Sequence, residues 1–138
     1  MTAPGPPVAV GVGCRRGATT QAVRAAVDAA LAEAGCAATE VTVLATVDRR
    51  AAALRDLAAD RGWRLVAWPA AELARQPVPH PSGTVAAAVG TPSVAEAAAL
   101  RAAGPAAALI VPKRIFPEVT VAVARRRPEI EAPGAIWS

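Results

Sequence analysis

The segment from Gly11 to Thr19 contains the residues best suited to holding an anion. Gly11 and Gly13 let the main chain approach a ligand, and Thr19 stands at the start of a predicted helix, whose free N–H groups attract negative charge. Between Gly13 and Thr19 lie Cys14, Arg15, Arg16, Gly17 and Ala18. We predict an anion-binding loop here. The alternative is a tight strand-to-helix turn with its arginines in solvent.

The spacing of this loop departs from both standard nucleotide-binding motifs. A phosphate-binding loop ends in Gly-Lys-Ser/Thr, whereas the single lysine of the chain is Lys113. The dinucleotide fingerprint requires a glycine where Arg16 stands, and Gly17 leaves only a looser spacing. A small nucleotide-binding module therefore remains an alternative that lacks a complete motif.

Cys14 is a candidate nucleophile, because a thiol at a helix start beside two arginines should have a lowered pKa. The other interpretation is a small side chain packed under the turn. His80, in a proline-rich stretch, provides no identifiable base. One histidine and two thiols, Cys14 and Cys36, form no recognisable metal site, so we expect no metal and no cofactor. No catalytic residue is assigned.

Two later segments could contact an acidic ligand. Gly90 and Thr91 precede a predicted helix in which Ser93 and Glu96 form a capping box, and hydroxyls at a helix start suit a carboxylate. A plain turn and helix would explain the same residues. Lys113 follows a predicted strand and a proline, where its ammonium could close over an acid; a solvent-facing lysine is the alternative.

Apolar periodicity predicts strands that alternate with helices. The predicted strands are 8–13, 41–47, 63–68, 108–111 and 119–124, with 112–114 as a loop. The predicted helices follow Thr19 or Thr20 as far as Gly35, follow Asp48 as N-cap as far as Gly62, and cover 70–75, 82–89 and 93–103; residues 76–83 form a proline-rich connection. This alternation predicts a three-layer α/β/α fold with a mixed, mostly parallel sheet of about five strands. The last two strands should be antiparallel, because their connection is too short for a crossover helix.

Composition and charge narrow the class of protein. The chain has 138 residues, 54% hydrophobic but only 3% aromatic, so a core of small side chains needs helices close to the sheet. The net charge of +4 favours anionic partners, but the run from Arg125 to Arg127 is too short and too poor in aromatic residues for nucleic acid. Neither a membrane span nor a signal peptide is visible, so we expect a cytoplasmic protein with no membrane partner.

Three motifs occur in order and together resemble one family. They are Gly11-Val-Gly-Cys-Arg-Arg-Gly17, Gly90-Thr-Pro-Ser-Val-Ala-Glu-Ala-Ala98, and Val111-Pro-Lys113 followed by 119–125. This pattern resembles the CobE/CbiG C-terminal family of cobalamin biosynthesis, and 46–48 and 81–82 also fit it. The expected organisation is a disordered N-terminal tail at 1–7, one domain at 8–125 and a C-terminal tail at 126–138.

The chain departs from the family pattern at three places. Arg49 and Arg50 stand where the family often has a lysine, and His80 stands where asparagine is common. The segment 114–118 stands where the family has a polar, glycine-bearing segment.

The resemblance implies a role in building the corrin ring. The C-terminal domain of CbiG proteins is joined to further N-terminal regions, and those proteins open the ring-A lactone of cobalt-precorrin-5A with release of acetaldehyde. This chain looks like the stand-alone CobE-like form, for which the resemblance implies binding of a carboxylated corrinoid (precorrin) intermediate, as a carrier or accessory protein. A cobalt-precorrin-5A hydrolase, alone or with a separate N-terminal partner, is the alternative. Other enzymes of the cobalamin pathway are candidate partners. The sequence leaves open the identity of the intermediate, its cobalt content and the oligomeric state.

Overall fold

A computed structural model describes residues 8–76 and 94–126 as a sheet with helices on both faces. The strands are β1 (Val8–Cys14), β2 (Val41–Val47), β3 (Arg64–Trp68), β4 (Ala107–Ile115) and β5 (Val119–Arg126). The helices within these ranges are α1 (Thr20–Ala34), α2 (Ala51–Arg61), α3 (Ala70–Ala74) and α4 (Val94–Ala103).

The sheet has the strand order β3-β2-β1-β5-β4. β1 pairs in parallel with β2, and β2 with β3, whereas β5 runs antiparallel to both β1 and β4. Four strands therefore point the same way, which confirms the predicted mixed α/β sheet and the antiparallel final pair. α1 and α2 cover one face, and α3 and α4 cover the other. In the part of the chain that the structure describes, no helix has the length and apolarity needed to cross a membrane.

α1 forms where its predicted apolar face and end signals place it. The Thr19 hydroxyl oxygen accepts the N–H of Ala22 at 3.0 Å, and Gly35 ends the helix in the left-handed conformation at φ 70°. The buried residues of the helix are Val23, Ala26, Val27, Ala30 and Leu31. This stripe packs on the valines of β1 and β5 in the larger core cluster.

On the opposite face, α4 lies with its main chain almost against β1. A Cβ atom built on Gly11 would stand 2.1 Å from the carbonyl oxygen of Ala95 and 2.6 Å from the nitrogen of Ala99. Only a residue without a side chain fits beneath the helix at this point. The close approach that the sequence predicts for a ligand is therefore made by α4 at Gly11.

Two predicted details at the ends of α2 are wrong. Asp48 is not an N-cap: it opens a 3-10 turn, Asp48–Arg50, and α2 begins at Ala51 without a side-chain cap. Trp63 is not yet in a strand. Gly62 ends α2, and the main-chain N–H of Trp63 donates to the Ala58 carbonyl oxygen in the last turn of that helix. Because Trp63 makes this helix-ending bond, β3 begins at Arg64, one residue later than predicted.

The last two strands are longer than predicted. β4 runs through 112–114, which the sequence assigns to a loop, because two register shifts let the strand absorb extra residues and continue pairing with β5. β5 continues beyond its predicted end at residue 124, because Arg125 and Arg126 pair with Ala108 and Ala107.

Several predictions fall outside the described residues. They are the tails at 1–7 and from Arg127 onward, the proline-rich connection from Pro77 with His80, the helix at 82–89, and Gly90, Thr91 and Ser93.

Gly11→Ala tests the packing of α4. We expect the free energy of unfolding to fall by about 3 kcal/mol, because the new methyl group would collide with main-chain atoms that cannot rotate away. Urea unfolding measures the change. Gly13→Ala is the matched control, since its nearest neighbour would be Val94 Cβ at an ordinary 3.5 Å. Equal stability of the two variants would contradict this account.

Candidate functional site

A cleft of about 230 Å³ opens beside the carboxyl ends of β1 and β4, and we call it the carboxyl-edge cleft. Its lining residues are Gly13, Val94, Ala95, Lys113, Ile115 and Thr120. These residues come from three neighbouring strands and from the first turn of α4. The sheet edge at the carboxyl ends of parallel strands is where open α/β folds usually bind ligands.

The floor of the cleft is formed by Gly13 and Thr120, which pair directly across β1 and β5. Gly13 lies below Val94 and Ala95, and its missing side chain leaves the space between strand and helix open. Thr120 provides a hydroxyl, which can both donate and accept a hydrogen bond. The floor therefore combines open space with one polar group.

Lys113 lies at a bulge in β4. Val111 pairs with Val123 and Arg114 pairs with Val121, so Pro112 and Lys113 stand opposite the single residue Ala122. The N–H of Lys113 donates to the Glu96 carboxylate at 3.0 Å, and the Glu96 side chain comes from the first turn of α4. Glu96 is 2% exposed. The bulge is thus tied to the helix on the cleft side of the sheet.

The next residue, Arg114, turns to the other face. Its guanidinium binds both carboxylate oxygens of Glu33 in α1, with Nε to Oε1 at 2.8 Å. The hydrogen bonds and positive charge of Arg114 lower the pKa of Glu33. Lys113 and Arg114 are therefore separated by the sheet, and only Lys113 lines the carboxyl-edge cleft.

Cys14 does not have the lowered pKa expected from the sequence. Burial raises the pKa of its thiol, and the charge of Arg50 offsets this only in part. The Nε–H of Arg50 donates to the Cys14 carbonyl oxygen at 2.9 Å. The Cys14 side chain packs against the larger core cluster, as in the second interpretation of this residue. A mostly protonated thiol in that position is a poor nucleophile.

The structure brings together some of the predicted site residues and separates others. Gly13 and Lys113 line the cleft, and Glu96 binds the main chain of Lys113. Gly11 lies under α4, and Thr19 caps its own helix. Arg15, Arg16 and Gly17 form an exposed turn at the same edge of the sheet but do not line the cleft.

Sequence reasoning missed Thr120 and Ile115. Thr120 is the one polar residue in the predicted strand 119–124, which is a usable signal, but its place opposite Gly13 depends on the antiparallel register of β5. Ile115 is 75% exposed, and its place at the cleft follows from the unpredicted extension of β4. Neither position can be derived from local periodicity.

A second cavity, also of about 230 Å³, lies on the α1 side and is called the apolar groove. Its described lining residues are Ala22, Ala25, Ala26, Phe116, Pro117, Glu118 and Val119. None of these described lining residues is basic, so their side chains offer no positive charge to a carboxylate. Among residues 8–76 and 94–126, no three histidine, cysteine or acidic side chains cluster as metal ligands would.

Comparisons with known proteins give a consistent picture. The family described as "Cobalamin synthesis G C-terminus" matches residues 8–124. The protein CobE of Sinorhizobium sp. is 36% identical over 127 residues, which are 89% of this chain and 82% of that protein.

Two crystal structures resemble this fold. That of CobE, a protein from the cobalamin (vitamin B12) biosynthetic pathway, has a TM-score of 0.76 at 32% identity and covers 90% of this chain and 93% of its own. That of the cobalamin biosynthesis protein chiG from Agrobacterium tumefaciens str. C58 has a TM-score of 0.64 at 33% identity, with coverages of 86% and 98%.

Thiol alkylation tests the environment of Cys14. In a Cys36→Ser background, we expect iodoacetamide to modify Cys14 more slowly at neutral pH than a free cysteine, because the raised pKa leaves less thiolate. The rate should rise with pH through a midpoint above that of free cysteine. Arg50→Gln should raise the midpoint further. A midpoint below that of free cysteine would contradict the assignment.

Proposed function

Because the chain belongs to the cobalamin synthesis G C-terminal family and is a cobalamin biosynthesis protein, we propose that it binds a carboxylated corrinoid intermediate. One acetate or propionate arm of the ring enters the carboxyl-edge cleft and pairs with Lys113. The protein acts as a carrier or accessory factor in corrin-ring synthesis. The observation that carries this proposal is the position of Lys113, the single lysine of the chain. Its main chain is hydrogen-bonded to Glu96 at a bulge, and it lines a cleft whose floor includes Gly13.

The chemistry of the cleft suits a carboxylate. The Lys113 ammonium is a compact point charge with three donors, and the Thr120 hydroxyl provides another donor close by. Hydrogen bonds between charged groups are shorter and stronger than neutral ones. The Lys113 ammonium and the Thr120 hydroxyl should therefore bind a carboxylate more tightly than a neutral group. Glu96 contributes to the site indirectly, because its carboxylate accepts a hydrogen bond from the main-chain N–H of Lys113.

The size of the cleft limits how much of the ligand it can hold. At about 230 Å³ it is smaller than the usual pocket for a drug-sized molecule, so it accommodates one side arm of a corrinoid. The macrocycle then lies over the carboxyl edge of the sheet. The exposed side chain of Ile115 offers that ring an apolar contact.

Positive charge near the cleft adds attraction for the remaining carboxylates. Arg15 and Arg16 are exposed on the turn that follows β1, and the chain carries a net charge of +4. Exposed charges of this kind act mainly on the rate of encounter and weaken as salt is added. Their contribution is therefore long-range attraction, while Lys113 makes the specific contact.

The hydrolase alternative has less support from the described residues. Opening a lactone needs an activated water or a nucleophile with a base. The Cys14 thiol has a raised pKa, and residues 8–76 and 94–126 contain no histidine. Acetaldehyde release from cobalt-precorrin-5A by the purified protein would favour hydrolysis over binding alone.

Calorimetry with hydrogenobyrinic acid tests the binding proposal. We expect the wild-type protein to bind and Lys113→Gln to bind about tenfold more weakly. This loss is at the lower end of the range for a hydrogen bond to a charged group, because Lys113 is half-exposed and water screens its charge. Arg64→Gln is the matched control: it removes one positive charge from the opposite edge of the sheet, where β3 begins. The proposal fails if the wild type does not bind or if both variants weaken binding equally.

Gly13→Ala tests whether the ligand occupies the floor of the cleft. The added methyl group makes only ordinary contacts with Val94 and Ala95, so the free energy of unfolding should stay within about 1 kcal/mol of wild type. The same methyl group occupies space that the ligand needs, and we expect about tenfold weaker binding of hydrogenobyrinic acid in calorimetry. Unchanged affinity in this variant would place the ligand elsewhere.

A further inference from the structure

We propose that Glu96 is a positioning residue for Lys113. Its buried carboxylate holds the main chain of the β4 bulge and thereby determines where the Lys113 ammonium stands in the carboxyl-edge cleft. This inference rests on the proposed function, because it assigns to Glu96 a role in ligand binding without contact with the ligand.

The burial of Glu96 is the first observation. Its side chain is 2% exposed within a helix whose other buried positions are alanine and leucine. A carboxylate buried there is costly unless hydrogen bonds replace its lost water. The N–H of Lys113 provides one such bond at 3.0 Å, and the first turn of α4 adds the positive end of a helix dipole. We attribute this burial to a specific role of the Glu96 carboxylate.

The bulge in β4 shows why a buried acceptor is needed at this place. Pro112 has no N–H, and Lys113 stands outside the regular pairing with β5, opposite Ala122 together with Pro112. Its N–H therefore needs an acceptor from another element, since an unsatisfied main-chain donor is costly away from water. Glu96 is that acceptor, and it reaches the bulge from α4.

The position of the bulge decides which side chain faces the cleft. Successive residues of a strand point to opposite faces, so a shift of one residue would exchange the places of Lys113 and Arg114. Arg114 is bound to Glu33 on the α1 side, and Lys113 lines the cleft on the α4 side. By binding the Lys113 N–H, Glu96 fixes the register that keeps the ammonium in the cleft.

A positioning role and a purely electrostatic role predict opposite effects. If Glu96 acts only as a nearby negative charge, its removal should strengthen the binding of an anionic ligand. If Glu96 positions Lys113, its removal should weaken binding, even though a repulsive charge has gone. Glu96→Leu removes both charge and acceptor, whereas Glu96→Gln removes the charge and keeps an acceptor oxygen.

The experiment uses the fact that Lys113 is the single lysine of the chain. Labelling with ¹⁵N-lysine gives one main-chain amide resonance, and its hydrogen exchange reports on the bond to Glu96. We expect this amide to be protected in the wild type and to exchange at least about a hundredfold faster in Glu96→Leu. In calorimetry with hydrogenobyrinic acid, Glu96→Leu should bind about tenfold more weakly, and Glu96→Gln should stay close to wild type.

Two controls separate positioning from general damage. Leu100→Ala removes a buried side chain from the same helix and should destabilise the fold without changing affinity. The double variant Glu96→Leu/Lys113→Gln should bind no more weakly than Lys113→Gln alone, because Glu96 acts through Lys113.

Each remaining outcome has a defined meaning. A fast-exchanging Lys113 amide in the wild type overturns the positioning role without any variant. Equal or tighter binding by Glu96→Leu, alongside weakened binding by Lys113→Gln, overturns the positioning role but leaves the proposed function standing. A wild-type protein that does not bind the corrinoid overturns both.

Discussion

The arrangement of this domain depends on how closely α4 lies to β1 at Gly11. With no side chain on the strand at that point, and with Ala95 and Ala99 on the helix, main chain meets main chain. This approach brings the first turn of α4 to the carboxyl edge of the sheet, where Val94 and Ala95 wall the cleft. A larger residue at Gly11 would push the helix away and separate the two sides of the proposed site.

The described arginines and Lys113 include some that connect elements of the fold and others that lie at the carboxyl edge of the sheet. Five ion pairs between described residues involve arginines, and all five connect different structural elements, such as α1 with α2 and α1 with β4. Each surface pair contributes little to stability. Arg15 and Arg16 form no ion pair with any described residue, and Lys113 lines the cleft. The predicted cluster of cations therefore becomes one lysine in the cleft with two arginines on the turn beside it.

The pattern of neighbouring residues was sufficient to predict α1 and β2. The apolar stripe of α1, its cap at Thr19 and its stop at Gly35 all read directly from neighbouring residues. β2 was predicted with its observed ends, because most of its residues are β-branched valine or threonine. The prediction missed where interactions distant in sequence override local signals. β4 continues past Pro112 because β5 still pairs with it, and no feature of 112–114 alone reveals that partner.

The sequence by itself determined the mixed α/β fold and the family, and it singled out Gly13, Glu96 and Lys113 as residues of interest. Only the tertiary structure assigned them different places: Gly13 on the floor of the cleft, Lys113 at its side and Glu96 behind Lys113. It also placed Gly11 under a helix rather than at the cleft. The physical reason is that a site at a sheet edge is assembled by strand order and register. These depend on pairing between segments far apart in the chain, which local residue patterns do not encode.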